Sequence, residues 1–222
     1  MIPLSELNAL NADRTANRER ILALWMTNVE IPRDHPALIA FARLATAAAG
    51  YTSPSPSPDR RARFLSLAVA AAERATTVEP AAASGYYWYA VSRALELNLL
   101  GLPATLMGIW KVKRAAQQAV ELDPRENAGG PLRIRAMLAF RLPFFLGGDK
   151  RAALRDLEHA VAMYPEFREN LLFLAEVQAE VVDVPTGLAT AERGLALPAS
   201  SEREQEARWT RAFEALIQRL RG

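Results

Sequence analysis

The chain has 222 residues, half of them apolar, with 27 basic and 25 acidic side chains and no cysteine. That length is enough to bury a full core. Without cysteine the chain holds no disulfide, thiolate nucleophile, iron–sulfur cluster or Cys-ligated zinc. The even charge also argues against nucleic acid, whose binders gather Lys and Arg on one face; the densest basic group here is only Arg60, Arg61 and Arg63.

Alanine and leucine recur along the chain, and both cost little in a helix. Apolar residues return every three or four positions, and almost no stretch alternates with period two, so the expectation is all-α. Helices are predicted over residues 4–10 and 15–27, then 36–49 with Pro36 in the first turn. The segment Tyr51-Thr-Ser-Pro-Ser-Pro-Ser-Pro58 reads as a stiff extended surface loop. It ends in a helix start, with Ser57 as cap and Pro58 in the first helical position, and that helix runs 58–78. A helix over 85–100, capped by Ser84, is followed by a Gly/Pro-containing insert over 101–108 and a helix over 109–122. Further helices are expected over 131–142, stopped by Pro143, and over 150–163, 167–182 and 185–196. The last covers 201–220, where Ser201 and Glu204 have capping-box spacing. In it Trp209, Phe213, Leu216 and Leu220 form one apolar stripe.

One segment recurs at helix ends. Its copies are Ala75-Thr-Thr-Val78-Glu-Pro80, Ala119-Val120-Glu-Leu122-Asp-Pro124, Ala160-Val161-Ala-Met163-Tyr-Pro165 and the shorter Gly194-Leu195-Ala-Leu197-Pro198. A small residue lets two helices nest, and the proline then stops the helix so that the chain turns. This is the mark of a tetratricopeptide repeat, a helix–turn–helix of about 34 residues. The last interval keeps that period, and the earlier ones are stretched by the Ser-Pro loop and the 101–108 insert. The expected architecture is a single all-helical solenoid: N-terminal helices over 1–35, about four repeats over 36–198, and a capping helix over 199–222.

On these residues the stretch 85–198 resembles the T-component of TRAP transporters, a family of helical, tetratricopeptide-like periplasmic proteins. The resemblance rests on Tyr86-Tyr87-Trp88-Tyr89-Ala90, on Ala119-Val-Glu-Leu-Asp-Pro124, and above all on Leu142-Pro143-Phe144-Phe145-Leu146-Gly147-Gly148-Asp149-Lys150. It implies a place beside a substrate-binding protein and a groove or pore that holds a small ligand. Family members are commonly lipoproteins exported with a lipid-bearing Cys, which this sequence lacks.

Candidate ligand-binding residues follow. Tyr86, Tyr87, Trp88 and Tyr89 cover every side of one helical turn, with Arg93 one turn on; a ligand lining and ordinary packing between helices are the two readings. Trp110 opens a helix with Lys111 and Lys113. Phe144 and Phe145 lie outside any predicted helix, either lining a cavity or plugging the gap left by Pro143. Arg133 and Arg141 stand near one face of their helix and permit an anionic ligand, although solvent exposure is the simpler expectation for both. His35 and His159 have no second ligand at metal spacing, and no phosphate-cradling loop, dinucleotide fingerprint or nucleophile elbow occurs.

The expectation is therefore a non-catalytic scaffold without cofactor. It would bind a small hydrophobic or anionic ligand, a periplasmic solute-binding protein, or both, and a homo-oligomer is compatible with that role. A general tetratricopeptide adaptor with a peptide in its groove is the alternative. The start Met1-Ile-Pro-Leu-Ser-Glu6 has no signal-peptide pattern, which places the protein in the periplasm if an export signal has been removed and in the cytoplasm otherwise. The longest apolar run, 95–110, is too short and interrupted to span a bilayer.

Overall fold

The computed structural model describes residues 2–14, 16–25, 27, 29–50, 56–198 and 203–222. They form eleven α-helices and no strand, which fits the all-α expectation. The contacts divide the chain into two compact units, Met1–Leu122 and Asp123–Gly222.

Unit 1 holds α1 (Leu4–Ala12), α2 (Arg18–Leu24), α3 (His35–Gly50), α4 (Pro58–Val78), α5 (Ala83–Leu100) and α6 (Leu102–Leu122). From α3 onward each helix packs on the next, and α1, α2 and α5 also touch α3. The predicted cap of α4 is present: Ser57 accepts from the Arg60 amide and Pro58 opens the helix. The alanine runs do what their size allows. Ala45, Ala68, Ala71, Ala72 and Ala75 are fully buried, where longer side chains would hold the helices apart. A Cβ on Gly85 would sit 3.0 Å from the Thr76 amide nitrogen, so α5 starts almost against the α4 backbone. At one end of the unit, Trp25 meets Phe41 edge-on with ring centres 4.8 Å apart.

Unit 2 holds α7 (Glu126–Arg141), a 3-10 turn (Phe144–Leu146), α8 (Lys150–Met163), α9 (Arg168–Val181), α10 (Val184–Ala196) and α11 (Arg203–Arg221). Neighbours again pack in order, and α9 touches both α7 and α11. The core joins Ala136, Phe140, Leu157, Leu171 and Leu174 to the α11 stripe of Trp209, Phe213 and Leu216, with Leu220 packed against it. Asp149 caps α8 through the Arg151 and Ala152 amides. Asp183 caps α10 through the Thr186 amide.

Two of the four recurrent helix ends share a conformation, and the end at Leu197 differs, at φ −64°, ψ 148°. Ala75, Ala119 and Ala160 are fully buried. Glu79 and Tyr164, each just before a proline, take φ −137°, ψ 80° and φ −135°, ψ 72°, and donate their amides to Ala75 and Ala160. A following proline disfavours the helical region for the residue before it, so the helix ends there.

Three expectations change. The segment 101–108 is not an insert but the first two turns of α6. Gly101, at φ +88°, makes the whole reversal, and Pro103 sits in the first turn, where an amide would have no partner anyway. Ser84 does not cap α5, which begins at Ala83. Helix α7 opens with a left-handed turn at Asn127, Ala128 and Gly129 (φ 48°, 53° and 81°) before its regular part continues through Pro131. The Ser201 cap and residues 51–55 of the Ser-Pro loop lie outside the described residues.

The loop between α7 and α8 leaves no room at Gly148, where a Cβ would fall 1.9 Å from the Leu142 carbonyl oxygen. Gly148→Ala therefore forces the loop open, and it should destabilise the protein by about 2 kcal/mol or more in urea or thermal unfolding.

Candidate functional site

In unit 1 the first turns of α5 carry the aromatic group. Tyr87, Trp88 and Tyr89 are buried and Tyr86 is half-buried. The Tyr87 and Trp88 rings pack edge-on, 5.0 Å between centres. Arg93 pairs with Glu96 on the same helix, and its guanidinium lies by Gly108 of α6. Burial is the main force that raises the Tyr89 phenol above its ordinary value; Glu73 and Glu96 add to it and Arg93 opposes. Tyr89 and Arg93 are thus electrostatic neighbours. Trp110 faces outward from α6, 54% exposed, with the Lys113 ammonium 4.9 Å from its ring centre.

The same unit brings together residues that the sequence keeps far apart. His35 Nδ1 lies 3.2 Å from the Glu79 carboxylate, and its Nε2 lies 3.4 Å from the Ser84 hydroxyl. Carboxylate, imidazole and hydroxyl stand in the order of a hydrolase triad. In such a triad the orienting carboxylate is buried, whereas the Glu79 side chain is 57% exposed and water screens its hold on the ring. What the three residues do mechanically is clear: they tie the start of α3 to the α4–α5 turn.

In unit 2 a shallow open basin of about 470 Å³ is lined by Phe140, Arg141, Lys150, Glu176, Glu180 and Arg219 among others. One Arg141 nitrogen donates to both Glu176 oxygens at 2.8 and 2.9 Å. Arg219 approaches the same carboxylate at 3.7 Å, and Lys150 pairs with Glu180. Arg141 and Lys150 both approach the Phe140 ring, 5.6 and 6.0 Å from its centre. Three cations share two carboxylates, which leaves the basin with an excess of positive charge. Of this group the sequence singled out Arg141 alone. The others come from α7, α8, α9 and α11, and no local spacing links them.

Phe144 and Phe145 neither line a cavity nor plug a gap; they are 92% and 75% exposed. Their loop is closed by hydrogen bonds that the Leu146 and Gly148 amides donate to the Pro143 carbonyl and the Asp149 amide donates to the Ala139 carbonyl, so the rings stand outward on a braced turn. Arg133 departs furthest from expectation. It is buried at 4% exposure, donates to Asn170 at 2.6 Å, pairs with Glu169 at 3.3 Å and covers the Phe167 ring at 5.0 Å. It and Asn170 also donate to the Ala128 carbonyl, which holds the left-handed turn of α7. Sequence spacing put Arg133 and Arg141 near one face, yet one is a strut of the core and the other lies at the surface.

No protein-family model matches the chain, and no curated protein matches it.

Three outcomes are expected. Arg133→Ala leaves Glu169 and Asn170 short of a buried partner and should cost about 3 kcal/mol in equilibrium unfolding. Ser84→Ala should leave ester hydrolysis by the protein at the wild-type background in a p-nitrophenyl acetate assay; loss of turnover would make Ser84, His35 and Glu79 a catalytic centre. Tyr89 has a raised folded pKa, so the stability linked to its neutral phenol is complete below the unfolded value and is lost as pH rises through the folded one. Tyr89→Phe should therefore weaken the fall in melting temperature above about pH 10.

Proposed function

We propose that this protein is a non-catalytic scaffold of tetratricopeptide-like helical hairpins, accessory to TRAP-type solute uptake. It holds a solute-binding partner, a small anion, or both, at the α7–α9–α11 face of its second unit. The observation that carries this reading is the segment Leu142–Lys150, the core of the sequence resemblance. Arg141, just before it, and Lys150, its last residue, both approach the Phe140 ring in the cationic basin, while its middle holds Phe144 and Phe145 out to solvent. Exposed aromatics on a braced loop are the kind of side chain that anchors protein interfaces. A neighbouring group with cation excess suits a carboxylate ligand.

The hairpin reading is supported by the order of helix packing and by the shared geometry of the two Ala-to-Pro helix ends at Glu79 and Tyr164. Those features fit an adaptor for peptides equally well; the basin and the phenylalanine loop favour the transport role. A periplasmic site of action follows from that role.

Calorimetric titration separates the readings. The partner arm uses a purified TRAP solute-binding protein from the same genome, and the ligand arm uses short mono- and dicarboxylates. Phe144→Ala with Phe145→Ala should weaken the partner at least about tenfold, or 1.4 kcal/mol, with no fall in melting temperature because both rings are exposed. Arg141→Ala with Lys150→Ala should do the same to the carboxylate. Heat from neither arm overturns the proposal.

A further inference from the structure

From Leu97 to Trp110 the sequence carries no charged residue. The structure folds this stretch into the tip of the α5–α6 hairpin, reversed at Gly101. Helix α6 packs on α5 through Gly108, Ile109, Val112, Ala115, Ala116 and Ala119. A Cβ on Gly108 would come within 2.8 Å of the Leu97 side chain, so the two helices are in tight contact where the tip begins.

The opposite arc of α6 is ordered along its axis. Its first two turns present Leu102 at 68%, Met107 at 88% and also Leu106 to solvent, beside an exposed Leu100 at the end of α5. Trp110 comes next. Then, on the same outward arc at about 100° per residue, come Lys111, Lys113 and Arg114; Lys111 and Arg114 are exposed. No acidic residue interrupts α6 before Glu121. The polar groups at the tip are few. Thr105 satisfies its hydroxyl on the Leu97 and Gly101 carbonyls, and Asn98 stands exposed on α5.

This order, apolar end, then indole, then cations, matches the layers of a bilayer entered from its surface. Acyl chains take Leu and Met, the interface takes Trp, and anionic headgroups take Lys and Arg. The length agrees. The nine helical steps from Leu102 to Lys111 span about 13.5 Å, less than the roughly 15 Å of one hydrocarbon leaflet. No described helix is long and apolar enough to cross a membrane.

We propose that the α5–α6 tip is a membrane-surface anchor that dips into one leaflet of an anionic bilayer, with Leu100, Leu102, Leu106 and Met107 in the acyl region and Lys111, Lys113 and Arg114 at the headgroups. A protein surface is the less favoured occupant, because α6 supplies three cations just below the apolar tip and no carboxylate before Glu121 in its last turn to pair across an interface. The anchor is independent of the binding role of the second unit, since it uses none of those residues.

The test uses the full chain with vesicles of phosphatidylcholine alone and of phosphatidylcholine with phosphatidylglycerol. Trp25, Trp88 and Trp209 are buried, so Trp110 reports contact with lipid by a blue shift of emission. The chain should sediment with the anionic vesicles and shift to the blue. Leu102→Glu with Met107→Glu, both at exposed positions, should abolish binding and shift with the melting temperature unchanged. Lys111→Glu with Arg114→Glu should weaken binding by about fivefold or more per charge. The proposal is overturned if neither vesicle binds, if neutral vesicles bind as tightly as anionic ones, or if the Leu102 and Met107 variant still binds. It is also overturned if sedimentation velocity without lipid shows self-association that the same variant removes, since the tip is then an interface between copies.

Discussion

Helices in this protein approach one another where their side chains are smallest, and the rest of the structure follows from that closeness. Alanine fills the α3–α4 contact and the buried ends of α4, α6 and α8. Glycine takes the points where even a methyl group would collide: Gly85 against the α4 backbone, Gly187 against Ala175 and Ala179, Gly194 against the Phe213 ring. Small residues lose no rotamer freedom on burial, so these seams gain contact without an entropic cost to side chains. They also leave little room for error, because tightly packed helices cannot slide to accommodate bulk.

Close seams decide which side chains must go elsewhere. Large apolar residues gather in separate clusters, as with Trp25, Phe41 and Phe64 in one unit and Phe167 and Trp209 in the other. Two arginines enter the second unit because backbone carbonyls need donors there. Arg133 holds the left-handed turn at Asn127 and Ala128. Arg168 pairs with Glu206 and bonds the Leu195 and Leu197 carbonyls at the end of α10. Buried guanidinium groups are costly unless their donors are used; here the Glu206 carboxylate, the Asn170 side chain and the carbonyls of broken helix ends take the terminal nitrogens, and the Arg168 Nε is left without a partner. The polar side of α11 is accordingly more than a solvated cap, since Glu206 and Arg208 bind α9 residues.

The surface features divide between the units. In the second, cations and carboxylates from four helices converge on Phe140, and a braced loop displays two more aromatic rings. In the first, one hairpin projects an apolar end above a basic belt. Both arise because a helical hairpin buries only one stripe of each helix. The outer stripe of α6 is free to carry Leu, Met, Trp and Lys in axial order.

Helix type and most helix bodies were legible from the sequence, because the 3.6-residue period and proline stops are local properties of the chain. The caps at Ser57 and Pro58 were legible for the same reason, as was the α11 stripe. The 101–108 segment was misread because Gly and Pro near each other signal a loop; only packing on α5 shows that one glycine turns the chain and the proline rides in the first helical turn. The aromatic turn, Trp110, Arg141 and the Phe144-Phe145 pair were visible as unusual residues, but their exposure was not. Whether an arginine on a helix becomes a core strut or a surface cation depends on which carbonyls and carboxylates come to lie beside it. Those partners sit 37 residues away for Arg133 and Asn170 and 49 for His35 and Ser84. The sequence by itself determined that this chain is helical and where most of its helices stop. Only the tertiary structure decided which of its polar and aromatic side chains meet, because that depends on contacts between helices far apart in the chain.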